Sequence, residues 1–184
     1  HLFGMVRYLY ESNRQMPMEG DTNFKKLKKS YSSGQELNGK SLGIIGFGRI
    51  GQEVAKIGIG LGMKILAHDK FTNEANITLK FFNGEKKTFT IETLELNEVL
   101  KNSDFITLHV PKVDDKAIIG AEEIGLMKNG AGIINTSRGG NIDETALMFA
   151  LDKVSNIWAA IPGLSGSLEI LKTVWFSNTS RLFT

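Results

Sequence analysis

Residues 41–62, SLGIIGFGRIGQEVAKIGIGLG, allow the backbone few choices. Leu42, Ile44 and Ile45 lie in an apolar run bounded by glycine, the pattern of a strand buried on both faces of a parallel sheet. Gly46-Phe47-Gly48-Arg49-Ile50-Gly51 then spells G-x-G-x-x-G. Ile50, Val54, Ile57 and Leu61 recur at helical spacing, with Gln52, Glu53 and Lys56 opposite them. The spacing predicts strand, tight turn and helix. Gly46 permits the turn, Gly48 lets backbone approach a pyrophosphate, and Gly51 lets helix and strand pack closely. The helix N-terminus, with unpaired N–H groups and a positive dipole end, suits the anion. Glycine-rich turns also serve where no nucleotide binds, so the motif alone leaves that alternative open.

A second apolar run, residues 63–68 (MKILAH), ends at Asp69, about 20 residues beyond the glycines, where a carboxylate can bond ribose hydroxyls. An acidic group there repels a 2′-phosphate, which favours NAD over NADP; Lys70 beside it is the one feature pointing the other way. The chain has 184 residues and a net charge of +2, enough for one domain with a sizeable core and too balanced to imply nucleic acid or an anionic membrane as partner. With no cysteine, disulfides, thiol catalysis and thiolate metal sites are excluded, and no metal is expected. No apolar run approaches the roughly 18 residues of a membrane span. A soluble, cytoplasmic protein is the expectation, and His1 in place of Met suggests a chain that begins inside a longer parent or has been processed.

Residues 1–13 carry Leu2, Met5, Val6 and Leu9 on one helical face, and Lys25, Lys26, Lys28 and Lys29 read as a solvated face. Beyond Asp69, residues 77–82 and 87–91 alternate around Asn83-Gly84, a strong hairpin signal, and the hairpin reads as an insertion at the sheet edge or toward another subunit. A helix follows over 95–101, a strand over 104–110 stopped by Pro111, and a helix over 122–128 with Gly130 past its end. Residues 132–135 form the next strand, Asp143 caps a helix running to Asp152, and 154–160 read as a fifth parallel strand. Strand alternating with helix indicates a doubly wound α/β sheet, in which ligands bind at the carboxyl ends of the strands.

Two loops sit at such ends: His109-Val110-Pro111 and Asn135-Thr136-Ser137-Arg138-Gly139-Gly140. His109 is either a structural residue or a catalyst. Arg138, flanked by glycines, can take a carboxylate with two bonds through its planar fork, or pair with a neighbouring acidic residue.

Taken together, GKSLGIIGFGRIGQEVA, the strand ending in Asp69, SDFITLHVP and GIINTSRGGNIDETAL resemble the nucleotide domain of the D-isomer-specific 2-hydroxyacid dehydrogenases. NSDFITLHVP, INTSRGG and SNRQMPMEGD are most similar to the members that oxidise 3-phosphoglycerate. The resemblance implies a Rossmann-type fragment of a two-domain oxidoreductase: an NAD-binding domain over 1–161, an unassigned tail over 162–184, and a substrate domain that is absent. It implies that Arg49 and Ile50 hold the pyrophosphate by backbone and that Asp69 takes the adenosine ribose. His109, Val110 and Pro111 would line the adenine side, Thr136 and Ser137 would lie beside the nicotinamide, and Arg138 would grip the substrate carboxylate. A homodimer is implied as well. The family's glutamate and acid/base histidine have no match: the chain reads IPGLSGSLE after the fifth strand, and neither His1, His68 nor His109 stands at that position. Another 2-hydroxy acid such as lactate or glycerate as substrate, and a nonenzymatic NADH-responsive module, remain open. An S-adenosylmethionine methyltransferase shares the glycine turn and acidic ribose ligand but has no evident use for INTSRGG.

Overall fold

The computed structural model describes residues 1–112, 116–153 and 158–160. It divides into two compact units, His1–Asn38 and Gly39–Thr184.

The first unit holds α1 (Leu2–Val6) and α2 (Leu9–Tyr31). The single helix expected over residues 1–13 is interrupted, because Tyr8 adopts the left-handed conformation (φ 52°) between the two elements. Aromatic residues rarely take that conformation, and here neighbours hold it. The Tyr8 ring lies 6.2 Å from that of Tyr31, and its hydroxyl bonds Ser33 Oγ at 3.1 Å. The Gln35 N–H donates to Val6 O at 2.9 Å, and Arg7 pairs with Glu36 at 2.8 Å, closing the unit. Met5, Val6 and Leu27 are buried, while the four lysines of 25–29 are exposed, as a solvated face requires.

The second unit is built on a five-stranded parallel sheet, order β2-β1-β5-β6-β7. Its strands are β1 (Ser41–Ile45), β2 (Lys64–His68), β5 (Phe105–Leu108), β6 (Gly132–Asn135) and β7 (Trp158–Ala160). Alternation along β1 sends its side chains to two layers. Leu42 and Ile44 meet α3 (Arg49–Gly60), since added Cβ atoms at Gly58 and Gly51 would lie 3.2 and 3.1 Å from them. Gly43 instead faces Val99 and Ser103, on and just beyond α4 (Leu96–Asn102). Ile45, Leu100, Ile106, Leu108 and Ile133 join α5 (Ala121–Leu126) and α6 (Glu144–Lys153) in one apolar cluster. The sheet is therefore doubly wound, as expected.

The sequence reading of α3 needs correction. Ile50 and Ile57 are 64% and 63% exposed, and the buried face is Gly51, Ala55 and Gly58. Helix and sheet approach so closely that only small residues fit: a Cβ on Gly58 would stand 2.7 Å from Ile65 Cδ1. Hydrophobic periodicity located the helix and mistook its orientation.

The hairpin forms as expected, from β3 (Glu74–Lys80) and β4 (Lys86–Glu92), antiparallel with Ile77 opposite Phe89. It is a sheet of its own, joined to the edge of β2 by the bridge Ala67–Thr93, and β3 lies against α3. The helix expected over 122–128 ends at Leu126, and Gly130 (φ 82°) turns the chain where the Ala131 N–H meets Lys128 O. The expected strand over 154–160 is described only as β7; its first residues, and the tail with Glu169, lie outside the described residues.

Glu11 of α2 is 9% exposed, and its Oε2 has no hydrogen-bond partner among the described residues. Burial pushes its carboxyl up to about 7, against the pull of its own backbone N–H. A carboxyl raised above its unfolded value of 4.5 destabilises the folded state progressively as pH climbs from there to about 7. Thermal melts of the chain should lose on the order of 3 kcal/mol of the first unit's stability over that interval. Glu11→Gln should flatten the profile; an unchanged slope would show that Glu11 is not the titrating group.

Candidate functional site

Four segments end together at the carboxyl edge of the sheet, because β2, β1, β5 and β6 are parallel neighbours. The turn after β1 starts with Gly46 at φ 94°, and a Cβ there would stand 2.7 Å from both His109 O and Val110 Cγ1. Only glycine lets the β1 and β5 loops touch. At Gly51 a Cβ would fall on the Gly46 carbonyl, so this glycine is fixed by close approach. Gly48 differs: nothing stands within 4 Å of where its Cβ would be. Gly48 is the N-cap of α3 and makes no side-chain cap, while the Gln52 N–H takes Gly48 O at 3.0 Å. The first N–H groups of a helix have no intrahelical acceptor, and Arg49 and Ile50, which follow the open position at Gly48, are exposed.

Asp69 faces this edge. Its Oδ2 accepts the Phe47 N–H at 2.7 Å, inside the glycine turn, and its Oδ1 accepts the N–H groups of Phe71 and Thr72 at 2.8 and 3.0 Å. Burial works against the charge, but these N–H bonds prevail and hold the carboxyl below the usual range. Oδ1 already accepts two donors, whereas Oδ2 accepts one and keeps a lone pair for a further donor.

His109 is half-buried. Its backbone N–H donates to Ile45 O at 2.7 Å and its Nε2 lies 3.0 Å from Thr107 Oγ1. Burial holds its pKa below the ordinary value, so the ring is neutral near pH 7. Its backbone, rather than its ring, meets the glycine turn.

After β6, Thr136 and Arg138 are exposed and Ser137 is half-buried. Arg138 Nη1 donates to Ser137 O at 2.9 Å, using one of the guanidinium's five donors. Two buried asparagines that the sequence reading did not select shape this loop. Asn135 accepts the Ser137 N–H and hydroxyl at 3.0 and 2.7 Å and donates to Arg138 O at 2.9 Å. Asn141 donates to Ser137 Oγ at 3.0 Å and to Val110 O at 3.1 Å. Their available signal was an asparagine closing the apolar run GIIN and another just before the helix cap Asp143.

Among the described residues, no group of three or more His, Cys, Asp or Glu side chains is placed to hold a metal. Also among them, no helix is long and apolar enough to cross a membrane.

Asp69→Asn presents an amide N–H to one set of backbone donors and should cost about 1–2 kcal/mol of stability near neutral pH. A carboxyl held below its unfolded value of 3.8 stabilises the fold above that pH and loses the contribution as pH falls through its folded pKa. Acid-unfolding curves of the two proteins should therefore converge below pH about 4; equal stability at pH 7 would mean that the three N–H bonds contribute nothing.

Comparison with known proteins bears on the family of the domain. The model of the D-isomer specific 2-hydroxyacid dehydrogenase NAD binding domain matches residues 1–161. Hydroxypyruvate reductase of Thermotoga maritima is 46% identical over 123 residues, covering 66% of this chain and 36% of that protein. D-3-phosphoglycerate dehydrogenase of Methanocaldococcus jannaschii is 44% identical over 120 residues, covering 64% of this chain and 21% of that protein. Among solved structures, D-lactate dehydrogenase with NAD+ from Lactobacillus jensenii superposes with a TM-score of 0.66 at 30% identity, over 90% of this chain and 46% of that one. The chain thus spans about a third and a fifth of the length of those two curated relatives.

Proposed function

We propose that this chain, which belongs to the D-isomer-specific 2-hydroxyacid dehydrogenases as their NAD-binding domain, serves a parent enzyme that oxidises 3-phosphoglycerate to 3-phosphohydroxypyruvate. The observation that carries the cofactor role is the open space at Gly48 beside the first turn of α3, with Asp69 fastened to the same turn. In this reading the N–H groups of Arg49 and Ile50 bind the pyrophosphate and Gly46, Gly48 and Gly51 make room for it. Asp69 takes the adenosine ribose, and His109, Val110 and Pro111 wall the adenine side.

NAD supplies the hydride acceptor. Thr136 and Ser137 would lie beside the nicotinamide, and Arg138 would hold the substrate carboxylate. Oxidation also releases the hydroxyl proton, which needs a base. His68 is engaged at Leu94 O (2.8 Å) and His109 at Thr107, and we assign neither this role. The base and the substrate domain belong to the parent enzyme, so the 184-residue chain binds NADH without turning substrate over. We further propose a cytoplasmic homodimer and a place in L-serine biosynthesis. The second reading keeps the chemistry and changes the substrate to hydroxypyruvate or glycerate, in line with the name of the Thermotoga relative.

Fluorescence titration should show saturable NADH binding with a Kd about ten-fold or more below that for NADPH, because Asp69 repels a 2′-phosphate. Equal affinity for both, or binding of S-adenosylmethionine instead, would overturn the cofactor assignment. In the parent enzyme, Arg138→Ala should raise the KM for 3-phosphoglycerate while leaving NADH affinity within a factor of about two.

A further inference from the structure

Asn141 lies between the two loops that close the carboxyl edge, and it is 2% exposed. Its side-chain N–H groups reach Val110 O on one side (3.1 Å) and Ser137 Oγ on the other (3.0 Å). Its own carbonyl accepts the N–H groups of Ile118 and Ile119 at 3.0 and 3.1 Å, so its backbone is anchored to a third segment. Ser137 passes the connection on: its hydroxyl donates to Asn135 Oδ1, and Asn135 donates to the carbonyl of Arg138. At the other end, Val110 stands against Gly46 of the glycine turn. The result is an unbroken line of contacts from the glycine turn to Arg138, in which the buried amide of Asn141 links the β5 and β6 loops.

The placement has a chemical cost that an apolar residue would avoid. Burying an amide at the lead-in to an apolar helix is unfavourable unless its donors are satisfied. Here both are, by groups on two different loops.

We infer that Asn141 is a positioning residue that fixes the distance between the pyrophosphate grip and the Ser137–Arg138 loop, and so selects for the nicotinamide half of the cofactor. The inference rests on the cofactor reading above. Removing the amide leaves the glycine turn and Asp69 in place, which hold the adenosine half, and frees the β6 loop to shift relative to them.

The test compares NADH with ADP-ribose, which lacks the nicotinamide, on the 184-residue chain by calorimetry and fluorescence. Asn141→Leu keeps the branched shape and removes both donors; Asn141→Ser keeps a hydroxyl too short to span the loops and serves if the larger leucine makes the variant melt early. Both variants should bind NADH roughly three- to ten-fold more weakly, with reduced enhancement of bound nicotinamide fluorescence. ADP-ribose affinity should stay within about two-fold of the wild type. A merely structural residue would weaken both ligands alike, and that result, or no change in either, overturns the inference. Wild-type protein that binds neither ligand removes the cofactor reading and this inference with it.

Discussion

Three backbone N–H groups converge on the Asp69 carboxylate, and the geometry of the whole carboxyl edge follows from that convergence. One of the three belongs to Phe47, so the end of β2 is fastened to the turn after β1. That turn in turn touches the His109–Val110 backbone through Gly46, which places the β5 loop. Because a carboxylate accepts such bonds more strongly than a neutral oxygen, the charge that suits a ribose also organises the turn that suits a phosphate. In the proposed cofactor role these bonds would hold the site in place before the ligand arrives, and a preformed site loses less affinity to ordering.

The opposite edge of the sheet uses similar chemistry for stability alone. Ser41 donates its N–H and hydroxyl to Asp104 Oδ2 at 2.8 and 2.9 Å, and Lys128 reaches Oδ1 at 3.1 Å. Burial opposes the Asp104 charge, but the Ser41 and Lys128 donors prevail and hold its pKa down. Two aspartates, each one strand away from β1, thus pin its two ends, and the one bonded into the glycine turn lies next to the open position at Gly48. Charge and burial are alike at both, and the proposed cofactor role draws on the open position beside Gly48.

Most of the sheet was legible because its strands are buried on both faces and read as apolar runs: GIIN coincides with β6, and SLGII with β1. The hairpin was legible from Asn83-Gly84. Other features were hidden for definite reasons. The orientation of α3 depends on Gly51, Ala55 and Gly58, whose contribution is the absence of bulk, and a hydrophobic scale assigns such residues little weight. The break at Tyr8 depends on a ring contact with Tyr31, far along the chain. At the site, residues whose chemistry points outward, such as Asp69 and Arg138, announced themselves by charge. Asn135 and Asn141 act through buried amides on loops adjacent only in three dimensions, and sequence order does not display that adjacency.

In the proposed cofactor role NAD lies along the carboxyl edge with its pyrophosphate at the first turn of α3 and its adenosine ribose at Asp69. Backbone amide shifts of the isotope-labelled chain, followed by NMR as NADH is added, test it most directly. The account predicts the largest changes at Phe47, Gly48, Arg49, Ile50 and Phe71, with smaller ones at Val110 and Ser137. Changes confined to the His1–Asn38 unit, or to the amino edge around Ser41 and Lys128, would contradict it.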